Sequence, residues 1–172
     1  MTLTPLTDTP MNLAEFDLPA GTFTLRRATA CDVGAIVSLL ADDHLRASFE
    51  STSPEARAPY DRAFDVINAD PAQLLVVAVS TAGDVVATMQ LTPIPGLARA
   101  GALRMQIEAV RVHSTLRGNG LGGAMIGWAI AEGRRRGARL IQLTSDQSRQ
   151  SAHRFYERLG FEASHAGFKL TL

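Results

Sequence analysis

The chain has 172 residues, with 17 basic and 17 acidic side chains and one cysteine. That length favours a single domain whose core needs no cross-link, and Cys31 alone excludes an internal disulfide and fits a reducing compartment. The balanced charge excludes a broad nucleic-acid-binding face, and no apolar run approaches the ~20 residues of a membrane span.

Residues 1–22 lack a basic segment followed by an apolar one, so they are no secretory signal. They read as an extension, ordered on contact or disordered, ahead of one domain over 23–172, with the cytoplasm as expected location. "TFTLRRAT" (22–29) alternates and predicts a first strand. "CDVGAIVSLLADDHLRASF" (31–49) carries Val33, Ile36, Val37, Leu40 and Leu45 at roughly helical spacing, and Asp32 suits an N-cap or first-turn position. Residues 51–70 read as a polar loop and a second helix, punctuated by Pro54 and Pro59. "AQLLVVAVS" (72–80) is β-branched and predicts a buried strand. The turn "TAGD" and "VVATMQLTPI" (85–94) complete a hairpin with it, and 95–102 is a loop.

"LRMQIEAVRVH" (103–113) is the next strand, and its apolar phase slips by one residue. Leu103, Met105, Ile107 and Ala109 share one parity, while Val110 and Val112 take the other. A β-bulge at Ala109–Val110 produces such a slip; a strand buried on both faces gives the same pattern without one.

"RVHSTLRGNGLGGAMIGW" (111–128) sets glycines where a polar loop becomes an apolar helix, although each glycine inside a helix costs roughly 1 kcal/mol against alanine. A helix N-terminus offers unpaired N–H groups and partial positive charge, and bare backbone at Gly118, Gly120, Gly122 and Gly123 lets an oxyanion approach it. Arg117 adds fixed charge at the rim. A P-loop is excluded, because Gly123 and Ala124 stand where Lys and Ser or Thr belong. Gly118, Gly120 and Gly123 meet the dinucleotide spacing, but no acidic residue follows about 20 positions on. Close helix packing through glycine is the remaining alternative.

The helix continues through Arg136, with Leu121, Ala124, Met125, Trp128 and Ala131 or Glu132 marking its faces, and "RRRG" ends it. "ARLIQLTSD" (138–146) is a strand, "SAHRFYERLG" (151–160) a short helix capped by Gly160, and "FEASHAG" and "FKLTL" two short closing strands. The class is mixed α/β or α+β. Trp128 is a core residue or a homodimer contact. With four histidines, one cysteine and no paired spacing, no metal is expected.

The C-terminal half resembles the GCN5-related N-acetyltransferase (GNAT) superfamily. "RGNGLG" matches its acyl-CoA signature at Arg117, Gly120 and Gly122. "IEAVRVHSTLRG" resembles the preceding bulged strand at Val112, Arg117 and Gly118, with Ser114 where proline is common. "AHRFYERLGF" matches a downstream motif at Ala152, Phe155, Tyr156, Gly160 and Phe161. Arg149 stands where asparagine is frequent.

The resemblance implies a mostly antiparallel sheet with two splayed parallel strands, and direct transfer of an acetyl group from acetyl-CoA to an amine in a ternary complex. It implies that backbone N–H groups of Gly118, Asn119, Gly120, Leu121, Gly122 and Gly123, with Arg117, hold the pyrophosphate. The pantetheine arm would lie between "EAVRV", including Val110, Arg111 and Val112, and "IQLTS". The bulge N–H near Val110 would polarise the thioester carbonyl. Glu108 is the candidate base, or else an ordinary strand carboxylate pairing with Arg104 or Arg111. Tyr156 is the candidate acid toward the leaving thiolate, or else a core tyrosine. A small-molecule amine is the expected acceptor; a peptide or lysine amine and a non-catalytic acyl-CoA sensor are the alternatives. His113, His153, His165, Asp146 and Arg134–Arg136 are lesser candidates for the cleft or the cofactor.

Overall fold

The computed structural model describes residues 11–43 and 48–171. Six strands form one sheet in the order β1-β2-β3-β4-β5-β6. They are β1 (Asn12–Leu18), β2 (Gly21–Arg27), β3 (Leu74–Ser80), β4 (Val85–Ile94), β5 (Arg104–Val112) and β6 (Leu140–Leu143). Every neighbouring pair is antiparallel except β5–β6, which is parallel. The helices are α1 (Val33–Ala41), α2 (Arg57–Ala69), α4 (Leu121–Arg135) and α5 (Gln150–Arg158); α3 (Ala98–Gly101) is one turn in the β4–β5 loop, left-handed at Arg99 and Ala100. The mixed α+β architecture with one parallel pair is the one expected.

Each face of the sheet has its own core. Met89, Leu91, Met105 and Ile107 pack under Leu121, Met125, Ile126 and Ala129 of α4. Gly133 permits the close approach at the far end of α4, since an added Cβ there would lie 3.0 Å from Ile141 Cδ1. On the other face Leu75 and Val77 meet Val33, Ile36 and Val37 of α1 and Phe64 of α2. α1 also lies over β4 and β5. Asp32 anchors its start: the carboxylate takes both Arg26 Nη groups at 2.7 and 2.8 Å and the Thr29 N–H at 2.7 Å. Burial pushes this carboxyl up, but those hydrogen bonds outweigh it and hold it below the usual range.

Three expectations change. The segment read as an extension supplies β1, whose Ala14, Phe16 and Leu18 pack on the main core while Glu15 and Asp17 alternate with them; residues 1–10 lie outside the described ones. The helix expected over 31–49 ends at Ala41, and Leu45 lies outside the described residues. The two closing strands do not form: residues 161–171 are irregular, with Phe168 95% and Leu170 87% exposed. Alternation in "FKLTL" met no partner strand.

The phase slip is a bulge. Gln90 pairs with Glu108 and Thr88 with Arg111, so Met89 faces two residues, Ala109 and Val110. Ala109 takes φ 51°, a left-handed conformation. Such a backbone costs an L-residue about 1–2 kcal/mol. The gain is parity: Val110 and Val112 join the α4-side core as Met105 and Ile107 do.

Ala109→Gly should therefore raise stability by up to about 1 kcal/mol, and Ala109→Val should lower it by more than that; chemical denaturation of both variants checks this. At the end of α4, Arg135 holds the Glu132 carboxyl at about 2, with Arg136 assisting against burial. The folded value lies below the ordinary 4.5, so this stabilisation is present above pH 4.5 and fades as pH falls toward 2. Glu132→Gln should lose less stability than the parent over that window in an acid titration of unfolding.

Candidate active site

β5 and β6 pair only from Arg104↔Leu140 to Ile107↔Leu143. Beyond that they separate, and the bulge begins two residues past the last pair. The gap between them opens into a cleft of about 500 Å³ lined by Val110, Arg111, Val112, Arg117 and the segment from Ser148 to Ala152. Asp42 and Asp43, at the end of α1, complete its wall.

The glycine turn directly follows Arg117, which lines this cleft. Gly118 and Gly120 have φ of 81° and 90°, so both need the left-handed freedom of glycine, and Gly120 is the N-cap of α4. Gly122 and Gly123 are different. An added Cβ at Gly122 would make ordinary contacts with Phe155 and Val112 at 3.6 Å, and one at Gly123 would meet nothing within 4 Å. Packing thus requires neither. The space over this helix N-terminus is open, which is what an approaching oxyanion needs. Asn119 and Leu121 belong to the same turn, Leu121 anchoring it in the core.

Arg117 reaches back across the cleft. Its Nε donates to the Val112 carbonyl at 3.0 Å and its Nη2 to Asp42 Oδ2 at 2.7 Å. Arg111 Nη1 donates to the Val110 carbonyl at 2.7 Å, and Arg111 Nη2 meets Asp43 Oδ2 at 2.8 Å. Arg149 Nη2 donates to that same Asp43 oxygen. Asp43 escapes a sequence reading because 106 positions separate it from Arg149.

Glu108 and Tyr156 approach the gap from opposite faces. Glu108 is exposed and, paired with Gln90, stands on the α1 side of the sheet. Tyr156 is part-buried on the α4 side, edge-on to Phe155 and Phe161 at 5.1 and 5.9 Å between ring centroids. Burial pushes its hydroxyl above the ordinary 10.0, with the positive charges of Arg111 and Arg149 opposing. It is a neutral donor throughout the physiological range.

The lesser candidates take structural partners. His113 Nδ1 accepts from the Thr115 N–H, capping the turn after β5, and His153 Nε2 meets the Asp146 carbonyl. Asp146 closes a turn on Ser148, and His165 meets Ser164. Arg135 and Arg136 hold Glu132. Trp128 is part-buried against the main core. Among the described residues no His, Cys, Asp or Glu side chains gather as they would around a metal ion, and no helix is long and apolar enough to cross a membrane.

Comparisons with known proteins show the family and the fold. The acetyltransferase (GNAT) family model matches residues 36–161, and the chain belongs to that family. A transcriptional regulator from Bacillus halodurans C-125 is 42% identical over 87% of this chain and 99% of its own, with a TM-score of 0.84. A predicted acetyltransferase of Clostridium acetobutylicum, solved with acetyl-CoA, shares the fold at 19% identity over 87% of this chain and 96% of its own, with a TM-score of 0.66. Among curated proteins, the aminoalkylphosphonate N-acetyltransferase of Salmonella typhimurium is 37% identical over 67 residues, 39% of this chain and 44% of that protein. The chain thus matches less than half the length of this curated relative.

The open glycines yield a test that separates ligand space from packing. Gly123→Ala should leave the fold as stable as the parent or up to about 1 kcal/mol more so, while weakening acetyl-CoA binding measured by calorimetry. Gly120→Val should lower both stability and binding, because its left-handed φ is strained for any side chain.

Proposed function

We propose that this protein is an N-acetyltransferase that uses acetyl-CoA to acetylate a primary amine on a small molecule, by direct transfer in a ternary complex. The observation that carries this reading is the bulge at Ala109–Val110, set where β5 parts from β6 and next to a glycine turn with open space above it.

Acetyl-CoA supplies an activated acyl thioester. The N–H groups of residues 118–123, at the positive end of α4, receive the pyrophosphate, and Arg117 exchanges its Asp42 partner for that diphosphate. That ion pair is half-exposed, 52% and 41%, so exchanging it costs little. Val110, Arg111 and Val112 offer backbone groups to the pantetheine arm along the edge that β6 leaves vacant. The Val110 N–H, at the bulge, donates to the thioester carbonyl as negative charge grows on it.

Glu108 accepts the proton that an amine must lose before it attacks. Tyr156 donates its hydroxyl proton to the departing sulfur from the other face. Base and acid on opposite faces suit a reaction in which the nucleophile enters on one side of the gap and the thiolate leaves on the other. Support for a small acceptor comes from the curated relative named for aminoalkylphosphonates, which are small amines.

Saturating acetyl-CoA, at about 100 times its Kd, should stabilise the fold by about 3 kcal/mol, read as a rise in Tm. Thiol release across a panel of amines should then follow, and Tyr156→Phe should lower kcat about 10²-fold with acetyl-CoA affinity nearly intact. An unmoved Tm removes the cofactor site; a Tm rise with no thiol release from any amine leaves a binding protein rather than a transferase.

A further inference from the structure

The two edges of the sheet are built differently. β1 ends one side, and it carries exposed Glu15 and Asp17 and a register shift between Asn12 and Ala14. Charges and bulges are what keep an edge strand from pairing with another chain. β6 ends the other side and has neither. Leu140, Ile141, Gln142 and Leu143 are uncharged and half-buried, and among the described residues no strand pairs along their outer side. Alternate N–H and C=O groups of β6 are thus offered to any extended segment that arrives.

The same chain carries a strand pattern without an edge. Residues 162–171 are all exposed, and none belongs to a strand. Phe168 and Leu170, two apart, share one face of an extended chain, with Lys169 and Thr171 on the other. Both apolar side chains stand almost wholly in water. Ile141 and Leu143 of β6 also share a face, the one that packs on the main core. A strand added there with Phe168 and Leu170 on that side would extend the larger apolar layer.

The chain's own tail leaves that edge bare. α5 ends in a Schellman turn: Gly160, at φ 87°, donates to the Glu157 carbonyl at 2.9 Å, and the Phe161 N–H donates to that of Tyr156 at 3.1 Å. Phe161 packs on the main core, and a second turn follows at once, the Ser164 N–H donating to the Glu162 carbonyl at 2.9 Å. Ser148 holds the Asp146 carboxyl low through its hydroxyl and N–H, with Arg149 and Lys169 adding positive charge. Lys169 is therefore in electrostatic reach of Asp146, three positions past the end of β6.

We propose that two copies of this chain exchange tails, residues 168–171 of each adding a strand to the β6 edge of the other. Every copy carries both the bare edge and the unpaired run, so one two-fold arrangement satisfies both and closes on itself. The ten exposed tail residues, with β6 and residues 144–149 receiving the partner's tail, give each copy about the 20 residues a side of a standard interface. Nothing in this pairing depends on the acetyl-transfer reading.

Sedimentation velocity of the full chain from about 1 to about 100 µM tests it. The parent should sediment as a dimer. The double variant Phe168→Ser, Leu170→Ser should weaken that dimer at least about 100-fold, because each copy withdraws two apolar side chains from the exchange. Both positions are exposed in a single copy, so the variant should keep the parent's far-UV circular dichroism. Should it fail to fold, Leu170→Asp decides by the same readout. Hydrogen exchange identifies which copy supplies the strand: amides of 140–143 and 168–171 should slow together as concentration rises. Protection that ignores concentration means that the tail folds onto its own edge, and overturns the exchange. A parent that stays monomeric at the highest concentration overturns it too, as does a dimer that the tail substitutions leave intact.

Discussion

One left-handed residue, Ala109, decides what both faces of β5 present. Without the bulge, continued alternation would turn Arg111 toward Met125 and Ile126 and lift Val110 and Val112 out of the apolar layer. Burying an uncompensated guanidinium costs several kcal/mol, whereas the left-handed backbone costs about 1–2. The strain is the smaller penalty, so the chain accepts it. The same displacement sets Val110, Arg111 and Val112 along the cleft.

The parting of β5 and β6 is the second constraint, and two kinds of ion pair line the cleft beyond it. Asp42 and Arg117 meet near the surface, where a pair contributes 0–1 kcal/mol and yields readily to a competing anion. Asp43 with Arg111 and Arg149 is largely buried, and removing its carboxylate would leave two cations facing each other. Adjacent residues at one helix end thus make one exposed pair beside the glycine turn and one buried pair that ties β5 to the segment entering α5. Both depend on how α1 ends, and α1 is placed by its own small core.

The parts of the molecule legible in sequence were those written in local pattern. The slip from Ala109 to Val110 pointed to the bulge, although a strand buried on both faces reads the same way, and only the β4 pairing separates the two. The glycine spacing marked the helix start, and β-branched runs around "TAGD" marked the β3–β4 hairpin. β1 went unread although Ala14, Phe16 and Leu18 alternate with two acids; seven residues at a sheet edge have one partner strand and a short signal. "FKLTL" shows the converse, since alternation describes a strand only when an edge lies within reach. The Asp43 cluster had no local signal at all. It arises from packing between residues far apart in the chain, and only the crossing of α1 over β5 brings them together.

The sheet separates two hydrophobic layers that share no buried side chain. The glycine turn and Tyr156 hang from the larger layer, through α4 and α5. The wall carrying Asp42 and Asp43 hangs from the smaller one, through α1 and α2. Substitutions that reshape Phe64, Ile36 or Val37 can therefore shift that wall while the glycine turn stays fixed. A protein divided this way can reshape one wall of its cleft through remote, individually mild mutations while the half that carries the glycine turn keeps its packing.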